Sequence, residues 1–139
     1  MCIRDRDKVL KLAGWLKENG ISKGDRVCAY MPNCPETIIT MLATASLGAV
    51  FSSCSTDFGV AGVLDRFQHI EPKILVTVDV YLYNVKAIER HEEVHQIVQG
   101  LNTLQNVLIL KYLNSHFYLS NFARFLFCLR HYNLQYQQG

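Results

Sequence analysis

The residues most able to do chemistry in this chain are a histidine pair and a run of hydroxyls. His91-Glu92-Glu93-Val94-His95 has the HExxH spacing, which on a helix sets two imidazoles one turn apart to bind zinc while the glutamate activates the metal-bound water. A catalytic zinc of that kind takes a third protein ligand. No Asp or Glu follows Glu93, and Val98 stands where the extended motif has glycine, leaving His116 and His131 as the only later imidazoles. The motif is therefore expected to be the solvated face of an amphipathic helix that holds no metal.

Ser52-Ser53-Cys54-Ser55-Thr56 precedes a helical pattern, and a hydroxyl-rich loop at a helix N-terminus attracts anions. Asp57 stands in the same place and repels them, so ordinary capping by Asp57 or Thr56 is expected instead. Asp65-Arg66 on that helix reads as a surface or interface ion pair. The eight glycines are spread singly at turns and helix ends, so none of them forms a cradle of successive backbone N–H groups for a triphosphate. Five cysteines, Cys2, Cys28, Cys34, Cys54 and Cys128, are odd in number and show no CxxC spacing. They are expected to be reduced thiols, which fits the cytosol.

Composition narrows the partners. With 50% hydrophobic and 19% charged side chains over 139 residues, the chain has the makeup of one globular domain with one core. Fourteen Lys and Arg against twelve Asp and Glu leave a formal charge of +2, far from the basic field that nucleic-acid binding requires, so no nucleic-acid partner is expected. No membrane partner is expected either. The longest weakly polar run, Ile38 to Phe51, is interrupted by Thr40, Thr44 and Ser46 and falls short of the roughly 20 residues that cross a bilayer. Residues 1–7 mix charges without an apolar stretch, unlike a signal peptide, and read as a leader foreign to the fold.

These groups must be positioned by an alternation of elements. Val9, Leu10, Leu12, Ala13 and Leu16 recur at helical spacing, with Asn19-Gly20 as the stop. Arg26–Tyr30 is a short strand, Pro35 opens a helix running to Leu47, and Ala49–Ser53 is the next strand. A helix over Gly59–Ile70 breaks before Pro72, and Lys73–Asp79 is the strongest strand. A polar turn leads into a helix over Lys86–Gly100, and Asn106–Leu110 is the fourth strand. Because Ile74, Leu75, Val76 and Val78 form an apolar run without alternation, that third strand is expected to be central and buried on both faces. The fold class is α/β, a parallel sheet with helices on both faces. Ligands of such sheets collect outside the carboxyl ends of the strands, here Met31–Asn33, Cys54–Asp57 and Asp79–Lys86. Residues 112–139, aromatic and rich in Asn and Gln, depart from the alternation and are expected to lie outside the fold.

Gly24-Asp25-Arg26-Val27, Tyr30-Met31-Pro32-Asn33 and Pro35-Glu36-Thr37 resemble the N-terminal region of the adenylate-forming acyl-CoA synthetases. Met41 to Ala49, Ser52 to Ser55, Asp57 to Val60, Gly62 to Phe67 and Ile70 to Lys73 are similar to the acetoacetyl-CoA synthetases among them. The resemblance covers residues 8–111, with Tyr83-Asn84 and Lys86 extending it. Departures are Thr56, where the family often has proline, and Val85, where it often has glycine.

The resemblance implies the start of the N-terminal domain of a two-step ligase. Acetoacetate attacks the α-phosphate of ATP to give acetoacetyl-adenylate and pyrophosphate, and the thiol of CoA then displaces AMP. ATP, Mg²⁺ and CoA serve the parent family, and acetoacetate and CoA are its small-molecule substrates. The phosphate loop and catalytic lysine of the family match no segment of this chain, so no catalytic residue is assigned and none of these ligands is expected to bind tightly. What the resemblance carries over is a CoA-side rim: Ser55, Thr56 and Asp57 after the second strand, and Lys86 after the third. A non-catalytic binding or interaction module is the alternative reading.

Overall fold

The computed structural model describes residues 3–78, 80–84, 86–110 and 126–128. Among them, parallel strands β1 (Arg26–Tyr30), β2 (Val50–Cys54), β3 (Ile74–Val78) and β6 (Asn106–Leu110) form a sheet in the order β2-β1-β3-β6. A short strand β7 (Leu126–Cys128) adds to β6 in antiparallel register. Helices α1 (Ile3–Glu18), α2 (Pro35–Ser46), α3 (Val60–Ile70) and α4 (His91–Gly100) alternate with the parallel strands.

Alternation along each strand divides the core in two. Val27 and Ala29 of β1, Ile74, Val76 and Val78 of β3, and Leu108 and Leu110 of β6 face α1 and α2, packing on Leu12, Leu16, Ile39 and Ala43. Cys28, Tyr30, Leu75 and Val107 face the opposite way, onto Val63 and Phe67 of α3 and Val94 and Ile97 of α4. Every residue of β3 is buried, as the run of Ile74, Leu75, Val76 and Val78 predicts, and Thr77 is buried with them. β2 is an edge strand of the described sheet, and its Val50 is half exposed.

Several expected boundaries move. α1 begins at Ile3 rather than Val9, so no break in secondary structure marks the expected limit of the leader at residue 7. The helix expected from Lys86 is instead an antiparallel hairpin, β4 (Val80–Tyr83) and β5 (Lys86–Glu89), followed by the shorter α4. Tyr83 pairs with Lys86 across a two-residue turn, and Asn84 supplies its left-handed corner at φ 48°. Asp79 and Val85, and residues 112–139 apart from β7, lie outside the described residues.

The amino ends of β1 and β3 are tied together. Lys73 Nζ lies 2.9 Å from Asp25 Oδ1, while Oδ2 accepts from the backbone N–H and hydroxyl of Ser22, each at 2.9 Å. Arg26 reaches over to the end of α3, where Nε donates to the Ile70 carbonyl at 3.0 Å and Nη2 to that of Glu71 at 2.9 Å. Glu71 closes α3 in the left-handed conformation at φ 53°, and the guanidinium answers the carbonyl-rich helix end.

Candidate functional site

The carboxyl ends of the parallel strands share one rim, and β1 and β3 diverge there. β1 leaves through α2 on one face toward β2, while its neighbour β3 leaves through the β4–β5 arm and α4 on the other face toward β6. Adjacent strands whose connections part in opposite directions open a crevice between their ends, the usual ligand position of such sheets. Three loops border it: Met31–Cys34 after β1, Ser55–Gly59 after β2, and the β4–β5 arm after β3.

Met31–Cys34 is held by side chains of its own segment. Thr37 Oγ1 donates to the Pro32 carbonyl at 2.8 Å and lies 3.4 Å from Cys34 Sγ. Backbone N–H of Met31 donates to the Cys54 carbonyl at 3.2 Å, which joins this loop to the end of β2.

Within Ser55–Gly59, Ser55 Oγ donates to Asp57 Oδ2 at 3.1 Å and accepts from the Asp57 N–H at 3.3 Å. Ser55 is half-buried, Thr56 is buried and Asp57 is exposed. Neither Thr56 nor Asp57 caps α3, contrary to expectation: its N-cap is Gly59, which has no side chain to offer. Asp57 is turned onto Ser55 instead, and Thr56 is drawn inward by Tyr30, whose Oη lies 3.2 Å from the Thr56 carbonyl and 3.0 Å from that of Phe58. Sequence reasoning missed Tyr30. A tyrosine inside a buried strand was the available signal, because its hydroxyl must find a partner.

Lys86 is exposed on β5, opposite Tyr83, and not at the start of a helix as expected. The order β2-β1-β3 puts β1 between β2, which leads into the Ser55–Asp57 loop, and β3, which leads into the arm that carries Lys86, so those two strands lie roughly 10 Å apart at the usual strand spacing. Arg66 does not pair with Asp65, since consecutive helical residues point apart; its guanidinium lies 4.6 Å from the centroid of the Phe58 ring.

α4 does carry His91 and His95 one turn apart. The motif's glutamate, Glu92, lies 3.5 Å from Gln96 Nε2, Glu93 beside it accepts from Arg90 Nη1 at 2.8 Å, and His95 Nε2 lies 2.9 Å from Gln99 Nε2. No group of three or more His, Cys, Asp or Glu is gathered for a metal ion among the described residues. Burial pushes the Cys28 thiol up to about 12 and raises those of Cys34 and Cys54, which disfavours their reactive thiolate forms. No described helix is long and apolar enough to cross a membrane.

The sequence model of the AMP-binding enzyme family matches residues 6–123. The chain belongs to the AMP-binding enzyme family. Within this family it is similar to the acetoacetyl-CoA synthetase of Macaca fascicularis, 44% identical over 110 residues that make up 79% of this chain and 16% of that protein. The acetoacetyl-coenzyme A synthetase of Rhizobium meliloti (strain 1021) is 51% identical over 96 residues, 69% of this chain and 15% of that protein. Among solved structures, the acetoacetyl-CoA synthetase from Streptomyces lividans aligns with a TM-score of 0.77 at 42% identity, covering 81% of this chain and 17% of that one. The chain therefore spans a small share of the length of the relatives it matches. The residues they share make a sheet and its rim.

Proposed function

We propose that this chain furnishes the first parallel strands and the CoA-facing rim of an acetoacetate–CoA ligase. The observation that carries the reading is the alignment of 81% of the chain with a solved acetoacetyl-CoA synthetase at 42% identity, and the family match over residues 6–123 spans the rim loops. In that ligase a carboxylate, a poor electrophile, is activated by ATP as acetoacetyl-adenylate, and the CoA thiolate then takes the acyl group as AMP leaves. Orientation and charge stabilisation supply most of the rate of such steps.

This chain's own contribution is to CoA. Lys86 offers a mobile positive charge to a CoA phosphate at one side of the crevice, and Ser55, Thr56 and Asp57 form its other wall. Unpaired Cys28, Cys34 and Cys54 accord with the reducing cytosol as the compartment.

Two measurements test the reading. Titration of CoA into isotopically labelled chain, followed by amide NMR, is expected to shift residues of the Ser55–Gly59 loop and the β4–β5 arm weakly, and less so in Lys86→Ala. Incubation with ATP, Mg²⁺, acetoacetate and CoA is expected to release no pyrophosphate and form no thioester. CoA shifts confined to other surfaces, or turnover abolished by Lys86→Ala, would overturn it.

A further inference from the structure

We infer that Tyr30 is the positioning residue of the rim: its phenol sets the shape of the Ser55–Gly59 loop that meets CoA, an inference that rests on the CoA-facing reading of that loop. Tyr30 is fully buried at the carboxyl end of β1, and its ring packs in the core shared with α3 and α4. Its hydroxyl reaches two carbonyls of the neighbouring loop, Thr56 at 3.2 Å and Phe58 at 3.0 Å. A chain that brings carbonyls two residues apart to one donor is curled around that donor, so a single buried group fixes the path of the loop.

Tyr30 is itself held fixed. Its own carbonyl accepts from Thr77 Oγ1 of β3 at 2.9 Å, in a fully buried bond, and the next residue donates its N–H to Cys54 at the end of β2. β1 lies between β2 and β3 and borders the crevice, so Tyr30 transmits the position of the sheet to the loop. Beyond the anchored carbonyls, the loop presents Asp57 and the Phe58 ring outward, with Arg66 over that ring. The phenol connects this outward display to the sheet from below.

The experiment compares Tyr30→Phe, which keeps the ring, with Thr77→Val, which breaks the other buried bond at Tyr30 without touching the loop. Amide hydrogen exchange and CoA titration by NMR are read in both. In Tyr30→Phe, the amides of residues 57–59 are expected to exchange at least about tenfold faster while Val107 and Leu108 hold their rates, and the CoA shifts of the loop are expected to need several-fold more ligand. Thr77→Val is expected to lower thermal stability and leave CoA affinity unchanged. Wild-type loop exchange or wild-type CoA affinity in Tyr30→Phe would overturn the inference. Should the unsubstituted chain show no CoA shift at the loop, the CoA reading fails, and loop exchange alone decides whether Tyr30 sets its shape. Should Tyr30→Phe not fold, fluorotyrosine at position 30 gives the same test, because ionising the phenol at raised pH removes its donor hydrogen and must free the same amides relative to Val107.

Discussion

Asp25 and Lys73 meet at 2.9 Å and join the turn before β1 to the turn before β3. Both belong to segments through which the chain resembles its family, Gly24–Val27 and Ile70–Lys73, and both lie at the end of the sheet opposite the rim. Their service is architectural. Lys73 also donates its backbone N–H to Arg26, and Gln105 donates to the Lys73 carbonyl, so the ion pair sits where three strands begin.

This pair makes stability depend on acid. The hydrogen bond from Lys73, with those from the Ser22 N–H and hydroxyl, lowers the Asp25 carboxyl from 3.8 to about 2. A carboxyl lowered on folding adds stability that is fully present above its unfolded value and is lost as pH falls through the folded one. The thermal midpoint is therefore expected to fall between pH 4 and pH 2. In Asp25→Asn the midpoint is expected to be lower at neutral pH and flatter across that window; an equal acid slope in both proteins would refute the assignment.

Arg26 tests the closure of α3. Its planar fork serves two adjacent carbonyls, a geometry that a lysine ammonium cannot reproduce. Arg26→Lys is expected to cost about 1–3 kcal/mol, the scale of charged hydrogen bonds, measured by urea unfolding with an unchanged slope.

Val76 tests the centre of the sheet. It is fully buried in β3, between β1 and β6. Val76→Asp puts an unpaired carboxylate there at a cost of several kcal/mol, a large part of the roughly 5–15 available to a domain. Circular dichroism is expected to show no cooperative unfolding transition; unchanged melting would mean that β3 is misplaced.

Zinc analysis tests the histidine pair. With two imidazoles on α4 and no group of three or more His, Cys, Asp or Glu gathered among the described residues, zinc is expected to be removed by dialysis. One zinc retained per chain, and lost in His91→Ala or His95→Ala, would contradict this.

The apolar strands were legible because burial on both faces leaves an unmistakable run, as in Ile74–Val78. Their spatial order was not, since hydrogen-bond partners leave no mark on composition. Lys86–Glu89 read as helix because Ile88, Val94, Ile97 and Val98 satisfy helical spacing. The competing signal was the β-branched and aromatic run Val80–Tyr83 before Asn84, a hairpin pattern. Capping of α3 was misread because side-chain types alone do not reveal that Asp57 bonds to Ser55 and that Tyr30 holds Thr56 inward. The rim could be named from strand ends. Its organiser could not, since the bond from Tyr30 spans 26 residues.

The β4–β5 arm pairs its two strands with each other, whereas β1 feeds alternate side chains to both halves of the core. Losing or gaining one residue within β1 would exchange Val27 and Ala29 with Cys28 and Tyr30 and scramble both halves at once. Matched changes between Tyr81 and Ile88, beyond the point where Ile88 packs on the core, would lengthen or shorten the arm while the parallel strands kept their register. Descent with insertions and deletions can therefore rework the tip of this arm in steps that leave the pairing of the parallel strands unchanged.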